Sequence, residues 1–299
     1  MKNPQKRRIK EYLIEKWFLF LATISIIVLA LIVAFLFKEG LPIFKSVSIG
    51  EFLFGRLWYP TDEPADFGIL SIIVGSLVVT AVSSIIAVPL GILSAIYISE
   101  IAGPRVKEIL KPVVELLAAL PSVVIGFFGM VVMAPFLQRV FDIPTGLNIV
   151  NASLMLAMMA VPTISSLTED AIHAVRQEIR EASLALGATQ WETISRVVVP
   201  ASLPGICTAS ILGMSRAIGE TMVVLMVAGG AAAIPESIFD PVRPMPASIA
   251  AEMAETPFRS DHYHALFAIG IVLFVTTLLF NLMADYIAQK YKQVGTATL

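Results

Sequence analysis

Trp17-Phe18-Leu19-Phe20-Leu21-Ala22-Thr23-Ile24-Ser25-Ile26-Ile27-Val28-Leu29-Ala30-Leu31-Ile32-Val33-Ala34-Phe35-Leu36-Phe37 is an uncharged apolar run. Its roughly 21 residues, rising about 1.5 Å each, cross a hydrocarbon core of about 30 Å as one helix. It has neither the shorter apolar region nor the small-residue cleavage site of a secretory signal, so it reads as a retained span. Five further runs bounded by charge or turn residues follow: Phe67 to Ile98, Val113 to Leu137, Ile149 to Leu167, Ser202 to Ala228 and Ala265 to Ala288. Amides in lipid must be satisfied within the chain, and no period-two alternation points to a barrel. The expected fold is an all-α integral membrane protein with six transmembrane helices.

Composition excludes the alternatives. Of 299 residues, 57% are hydrophobic and 15% charged, with a mean hydropathy of +0.83. Too little polar surface exists to clothe a soluble domain, so lipid is the implied solvent. A formal net charge of -2 offers no basic excess for a nucleic-acid partner. The single cysteine, Cys207, can form neither an intrachain disulfide nor a cysteine metal cage, and a buried position in its apolar stretch is expected.

Charge fixes the orientation. Placing the N-terminus in the cytoplasm puts Lys2, Lys6, Arg7, Arg8, Lys10 and Lys16 inside, together with Arg105, Lys107, Lys111, Arg176, Arg180, Arg196, Lys290 and Lys292. The outer face keeps only Lys38, Lys45, Arg56, Arg139, Arg243 and Arg259, so the positive-inside rule sets both termini in the cytoplasm. The outer loops, Lys38 to Asp66 and Gly229 to His264, hold too much Pro and Gly for continuous helix. A docking surface for a soluble donor protein and an ordinary interfacial connection both fit them. His262 and His264 beside Asp261 lack a third metal ligand, so a solvated loop is expected there.

The polar segment between the fourth and fifth spans, Glu169 to Val199, has a pattern of its own. Val175, Ile179, Ala182 and Leu186 recur at helical spacing, with Arg176, Glu178, Arg180 and Glu181 turned away. Gly187 is a natural left-handed stop. Thr189 with Glu192 forms a capping-box pattern that starts a second helix, and Pro200 is expected to end it. Two short helices at an angle result. Such a bent knob suits mechanical coupling to a partner, and it equally suits a connector lying on the membrane surface.

The run Glu181-Ala182-Ser183, three residues, Gly187, nine residues, then Val197-Val198-Val199-Pro200 resembles the EAA loop of ABC importer permeases, with Ser183, Val197 and Val199 as mild departures. Phe67-Gly68-Ile69-Leu70, Glu115 to Val124, and Ser215-Arg216-Ala217-Ile218-Gly219-Glu220-Thr221-Met222 are similar to the PstC family of phosphate importer permeases, as is the outer Trp58-Tyr59-Pro60 segment.

The resemblance implies a type I importer bundle in the cytoplasmic (inner) membrane. Residues 1-66 would hold the N-terminal tail, first span and outer loop. Residues 67-288 would form the transport domain, with its coupling loop at 169-200, and residues 289-299 a cytoplasmic tail. It implies that Glu181, Ala182, Ser183, Gly187 and Pro200 belong to the ATPase contact. It also implies a PstA-like second permease, two PstB-like ATPase subunits and a PstS-like external phosphate-binding protein as partners, besides membrane lipid. No cofactor is expected in this chain; ATP and Mg would be bound by the partner ATPase, and no G-x-x-x-x-G-K-[ST] run occurs here.

Arg216 and Glu220 are the formal charges expected deep inside a span. A charge at that depth costs a few kcal/mol or more, so both should face protein or water. Their i, i+4 spacing on one helix face allows an ion pair that only fixes the helix, or a pathway pair whose arginine attracts an anion. Within the spans, Pro89 and Gly91 are expected to interrupt the second. Pro121, Gly126, Gly129 and Pro135 punctuate the third, where Gly126 and Gly129 favour close packing and Pro121 fits either packing or a helix break beside a pathway. A membrane enzyme would need a catalytic constellation that no span offers, His173 standing alone in the polar loop. A passive channel or signalling scaffold leaves the knob without a purpose. Molybdate, sulfate and phosphonate are the alternative substrates.

Overall fold

A computed structural model describes residues 4–292. Lys2, used above to orient the chain, and residues 293–299 of the C-terminal tail lie outside the described residues.

Helix α1 (Pro4–Gly40) has 37 residues. At about 1.5 Å each it is about 55 Å long, so it runs well beyond the bilayer core. A 3-10 turn (Leu41–Lys45) and α2 (Ile49–Phe54) follow, α2 being capped by the Ser48 hydroxyl, which accepts from Glu51 N–H at 3.2 Å. Next come β1 (Trp58–Tyr59) and β2 (Asp66–Phe67), paired antiparallel with Trp58 opposite Phe67. The all-α expectation holds apart from this two-residue ladder, which is too short to leave a periodic signal.

Helix α3 (Leu70–Ile96) passes into a π turn (Tyr97–Ile101). The expected interruption of this span is absent: Pro89 lies within α3, and Gly91 is a contact point, where a Cβ would stand 2.7 Å from Cγ2 of Ile164. The third span begins later than hydropathy indicates. Val113 to Ala118 belong to a separate helix, α4 (Pro104–Ala118), and the span starts with α5 (Ser122–Phe128). Pro121 makes the break, because its ring cannot continue a helix and it holds ψ at 135 as the N-cap of α5. Through a π turn (Gly129–Met133), α5 leads into α6 (Ala134–Phe141).

Helix α7 (Ile149–His173) is the buried centre of the bundle, and α8 (Gln177–Ala185) hangs below it. Then come α9 (Gln190–Thr193), a π turn (Ile194–Val198) and α10 (Val199–Ile218) as one helical run. Pro200 therefore does not end the second loop helix. With no N–H to donate to the carbonyl one turn back, it is accommodated by the wider π turn that precedes it, in which Val199 N–H bonds Ile194 O. The chain ends with α11 (Met222–Val227), α12 (Met245–Glu252) and α13 (Asp261–Lys292). Among the described residues, six helical segments are long and apolar enough to cross a membrane: residues 11–45, 70–101, 122–141, 149–173, 190–218 and 261–290.

Two large apolar clusters, with two smaller ones around Ile164 and around Ile172, organise the described residues. Ile149, Leu156 and Met159 of α7 pack with Val79 of α3, Ile125 of α5, and Val223, Val224 and Val227 of α11. At the end of the bundle away from α8, Ile43, Phe52, Trp58, Ile69, Met245, Leu266 and Ile269 form a second cluster, so the loops expected outside are a packed cap. Gly126 and Gly129 act as packing points, as expected: a Cβ on them would lie 2.8 Å from Met226 Sδ and 2.7 Å from Val227 Cγ1, respectively. Cys207 departs from expectation. It is exposed, on a face of α10 that points out of the bundle, where apolar surroundings can come from lipid.

Candidate functional site: a broken fifth span and an exposed knob

The fifth span is not one helix. Helix α10 stops at Ile218 with Gly219 as its cap, residues 219–221 turn, and α11 restarts at Met222. Arg216 occupies the last turn of α10, and its Nη1 donates to Thr163 Oγ1 of α7 at 2.9 Å. Thr163 lies near the middle of α7, about 20 Å from one end and about 15 Å from the other at about 1.5 Å per residue, so the break falls well inside the bundle.

Glu220 lies past the helix end, where its N–H bonds Ala217 O in a tighter turn at 3.3 Å. The i, i+4 ion pair that the spacing allows is not formed: among the described residues, no salt bridge joins Arg216 and Glu220. Both nonetheless line one hollow with Leu156, Met159 and Ala160 of α7 and Ala217. The arginine is exposed and the glutamate half-buried. A guanidinium held by a hydroxyl rather than by a carboxylate keeps its charge available, and its planar fork matches an oxyanion. Thr163, 53 residues from Arg216, was beyond reach of local spacing; only the preceding Pro162 marks the region.

The knob has the predicted local chemistry. Gly187 adopts φ +87, the left-handed conformation that glycine tolerates best. The capping box closes in both directions, with Thr189 Oγ1 accepting from Glu192 N–H at 3.3 Å and Glu192 Oε2 accepting from Thr189 N–H at 3.0 Å. Ser183 and Thr193 hydroxyls meet at 2.9 Å, fixing α8 against α9. The faces are otherwise arranged than expected. Leu186 is 89% exposed and Trp191 64% exposed, so apolar side chains point outward, away from the bundle. Arg180 turns inward: its Nη1 donates to both oxygens of Glu100 at 2.6 Å and its Nη2 to Ile172 O at 2.8 Å.

The first residues of the 169–200 segment are the last turns of α7, and they are not free. Glu169, with a side chain 6% exposed, lies 3.3 Å from Lys111 and 3.5 Å from Lys107, both on α4. His173 is not alone either, standing 3.5 Å from Glu169 and 3.0 Å from Lys107. In the packed cap at the other end of the bundle Glu252 of α12 gathers three segments. It accepts from Trp58 Nε1 at 3.0 and 3.1 Å, pairs with Arg243, and meets His262 Nε2 at 2.7 Å. His264 Nδ1 faces Glu39 O at 2.6 Å instead. The two histidines serve different partners, and no group of three or more His, Cys, Asp or Glu fit to hold a metal occurs among the described residues.

Residues 87–293 match the family described as the binding-protein-dependent transport system inner membrane component. The chain is 41% identical over 273 residues to a protein of Bacillus subtilis (strain 168) named probable ABC transporter permease protein YqgH, covering 91% of this chain and 88% of that one. It is 35% identical over 260 residues to the phosphate transport system permease protein PstC of Mesorhizobium japonicum, covering 80% and 78%. Among solved structures, a bacterial alginate ABC transporter in complex with a pentasaccharide-bound periplasmic protein superposes with a TM-score of 0.63 at 16% identity, covering 95% of this chain and 98% of that chain. The MetNI methionine ABC transporter, inward facing, gives 0.55 at 20% identity over 75% and 94%. The broken span, the exposed knob and these likenesses agree: the chain belongs to the binding-protein-dependent inner-membrane components, the permease subunits of ABC importers, as a multi-pass inner-membrane protein that transports rather than catalyses.

Proposed function

We propose that this chain is the PstC-like permease subunit of an ATP-driven phosphate importer. The observation that carries the reading is Arg216, an exposed guanidinium at mid-span level beside a helix break, bound to a hydroxyl and lining a hollow. Charges at such depth are expensive and are kept where they do work, and helix breaks are where transporters place their ion routes. Arg216 offers an oxyanion two parallel N–H donors. Glu220, on the same hollow, limits how tightly the anion is held, so that it can leave.

The names of the relatives support a reading of the partners. Members of this family work with an ATPase and a substrate-binding protein. Here these are a PstB-like pair holding ATP and Mg, and a PstS-like external phosphate-binding protein, with a PstA-like permease completing the pathway at the interface of two bundles. In this reading the exposed Leu186 and Trp191, with Glu181, Ala182, Ser183 and Gly187, meet the ATPase, and Pro200 begins the return into the membrane. Both termini are cytoplasmic, which puts the knob on the ATPase side.

Labelled phosphate uptake into vesicles containing all four kinds of subunit tests the proposal. Uptake should require ATP and resist excess sulfate and molybdate. Competition by sulfate or molybdate as strong as by unlabelled phosphate overturns the phosphate assignment.

A further inference from the structure

Helix α8 contributes no buried side chain to the protein. Ile179 is 43% exposed and Leu184 50% exposed, so apolar packing cannot fix the orientation of α8 beneath the bundle. Its covalent tie to α7 is the short link Ala174–Arg176, in which Arg176 has left the helical conformation with ψ 140. These three non-helical residues make a pivot. A knob that swings about a pivot cannot transmit a push.

Val175 of the link packs against a small apolar cluster of Ala95, Ile172 and Val198, while the polar contacts that hold α8 to α3 and α7 converge on one residue. Arg180 clamps both carboxylate oxygens of Glu100 in the π turn that ends α3, and its other nitrogen bonds Ile172 O at the end of α7. The side chains of this pair are only 17% and 10% exposed. From the second half of the knob, Gln190 Nε2 donates to the main-chain oxygen of the same Glu100 at 3.3 Å. Ser99 Oγ adds a bond to Glu100 Oε1 at 3.2 Å. Both knob helices therefore grip Glu100, and Arg180 joins them to the ends of α3 and α7 at once. In the chain the knob is linked only to α7 and α10; α3 is reached by this bridge and by the apolar cluster of Val175 and Val198 with Ala95.

We propose that Arg180 and Glu100 are positioning residues that form the strut by which movement of the cytoplasmic knob reaches the transmembrane helices. The inference rests on the reading of the knob as the ATPase contact. A planar fork suits the role better than an ammonium, because it fixes direction as well as distance.

The test uses the complete importer in vesicles, with Arg180→Gln, Glu100→Gln and the double variant. The ATPase should still co-purify and hydrolyse ATP. Phosphate moved per ATP hydrolysed should fall about tenfold or more in each single variant, with the double no worse than the more affected single, as for one shared interaction. Unchanged transport per ATP in both singles overturns the strut. So does loss of the ATPase from the complex, which would make the pair part of the docking fold, and so does a double variant whose losses multiply. Glu181→Lys and Gly187→Pro, assayed alongside, separate the two claims. If they leave ATPase binding and uptake intact, the underlying reading of the knob fails; if they disrupt both while the strut variants transport normally, only the strut fails.

Discussion

Replacing Glu252 by Ala should loosen the outer cap by about 3 kcal/mol. The carboxylate serves Trp58, Arg243 and His262, which come from β1, the segment before α12 and the first turn of α13. Removing it leaves the Trp58 indole N–H, in a residue only 3% exposed, without an acceptor, at a cost of about 1–3 kcal/mol. Arg243 keeps its Nε bond to Gly230 O at 2.8 Å but loses its carboxylate. A fully buried pair broken on one side costs about 3–5 kcal/mol. Arg243 and Glu252 side chains are 29% and 18% exposed, so solvent screening reduces that share to about 1–2 kcal/mol. By the scaling for chains of a few hundred residues, about 3 kcal/mol lowers the midpoint of thermal unfolding by about 6–12 °C. Detergent-solubilised protein followed by tryptophan fluorescence reads it. Glu255→Ala, three residues on and exposed, is the control and should shift stability by no more than about 0.5 kcal/mol. Equal midpoints for the two variants would refute the account of Glu252 as the fastener of the outer cap.

Three other outcomes are expected. Arg216→Gln should abolish phosphate uptake, and the neutral double variant Arg216→Gln with Glu220→Gln should not recover it; near-normal transport by the double variant would reduce the two residues to a structural pair. Gly187→Pro should abolish ATP-dependent uptake while the subunit still inserts, because proline cannot take φ +87, and full uptake would remove the knob from the coupling path. Cysteines placed at Asp62 and Asp261 in a Cys207-free background should label from outside, whereas one at Lys290 should not; outside labelling at position 290 sinks the proposed orientation.

Hydropathy made the spans legible because a bilayer demands about 20 apolar residues of any helix that crosses it, and local chemistry made the knob legible because caps are read within four residues. Gly187 and the Thr189–Glu192 box stand as the spacing predicts. The boundary before the third span was hidden. In α4, Val113, Val114, Leu116 and Leu117 run toward the apolar residues after Pro121 with only Glu115 between them. The π turns were hidden as well, since one extra residue per turn changes neither composition nor period enough to register. Arg180 was misplaced for a different reason. Helical spacing tells which residues share a face, but its partner Glu100 is 80 positions away, and only the folded chain shows that a charged face can be the inward one.

The unformed pair at Arg216 and Glu220 shows how two such effects compete. Continuing α10 by one more turn would have placed the carboxylate over the guanidinium, as the sequence spacing allows. The chain turns at Gly219 instead, and α11 then delivers Val223, Val224 and Val227 into the central core at 0%, 3% and 0% exposure. Dispersion at about 0.1–0.2 kcal/mol per atom pair, summed over three enclosed side chains, amounts to several kcal/mol. Lipid tails return only part of that, being packed less densely than a protein interior. A partly exposed ion pair contributes about 0–1 kcal/mol. Packing therefore wins over pairing, and Gly126 and Gly129 sharpen the margin by letting α5 approach Met226 and Val227. The price of that packing is an arginine left with a threonine for company, and in the proposed function this incomplete neutralisation is what would draw an anion to the hollow.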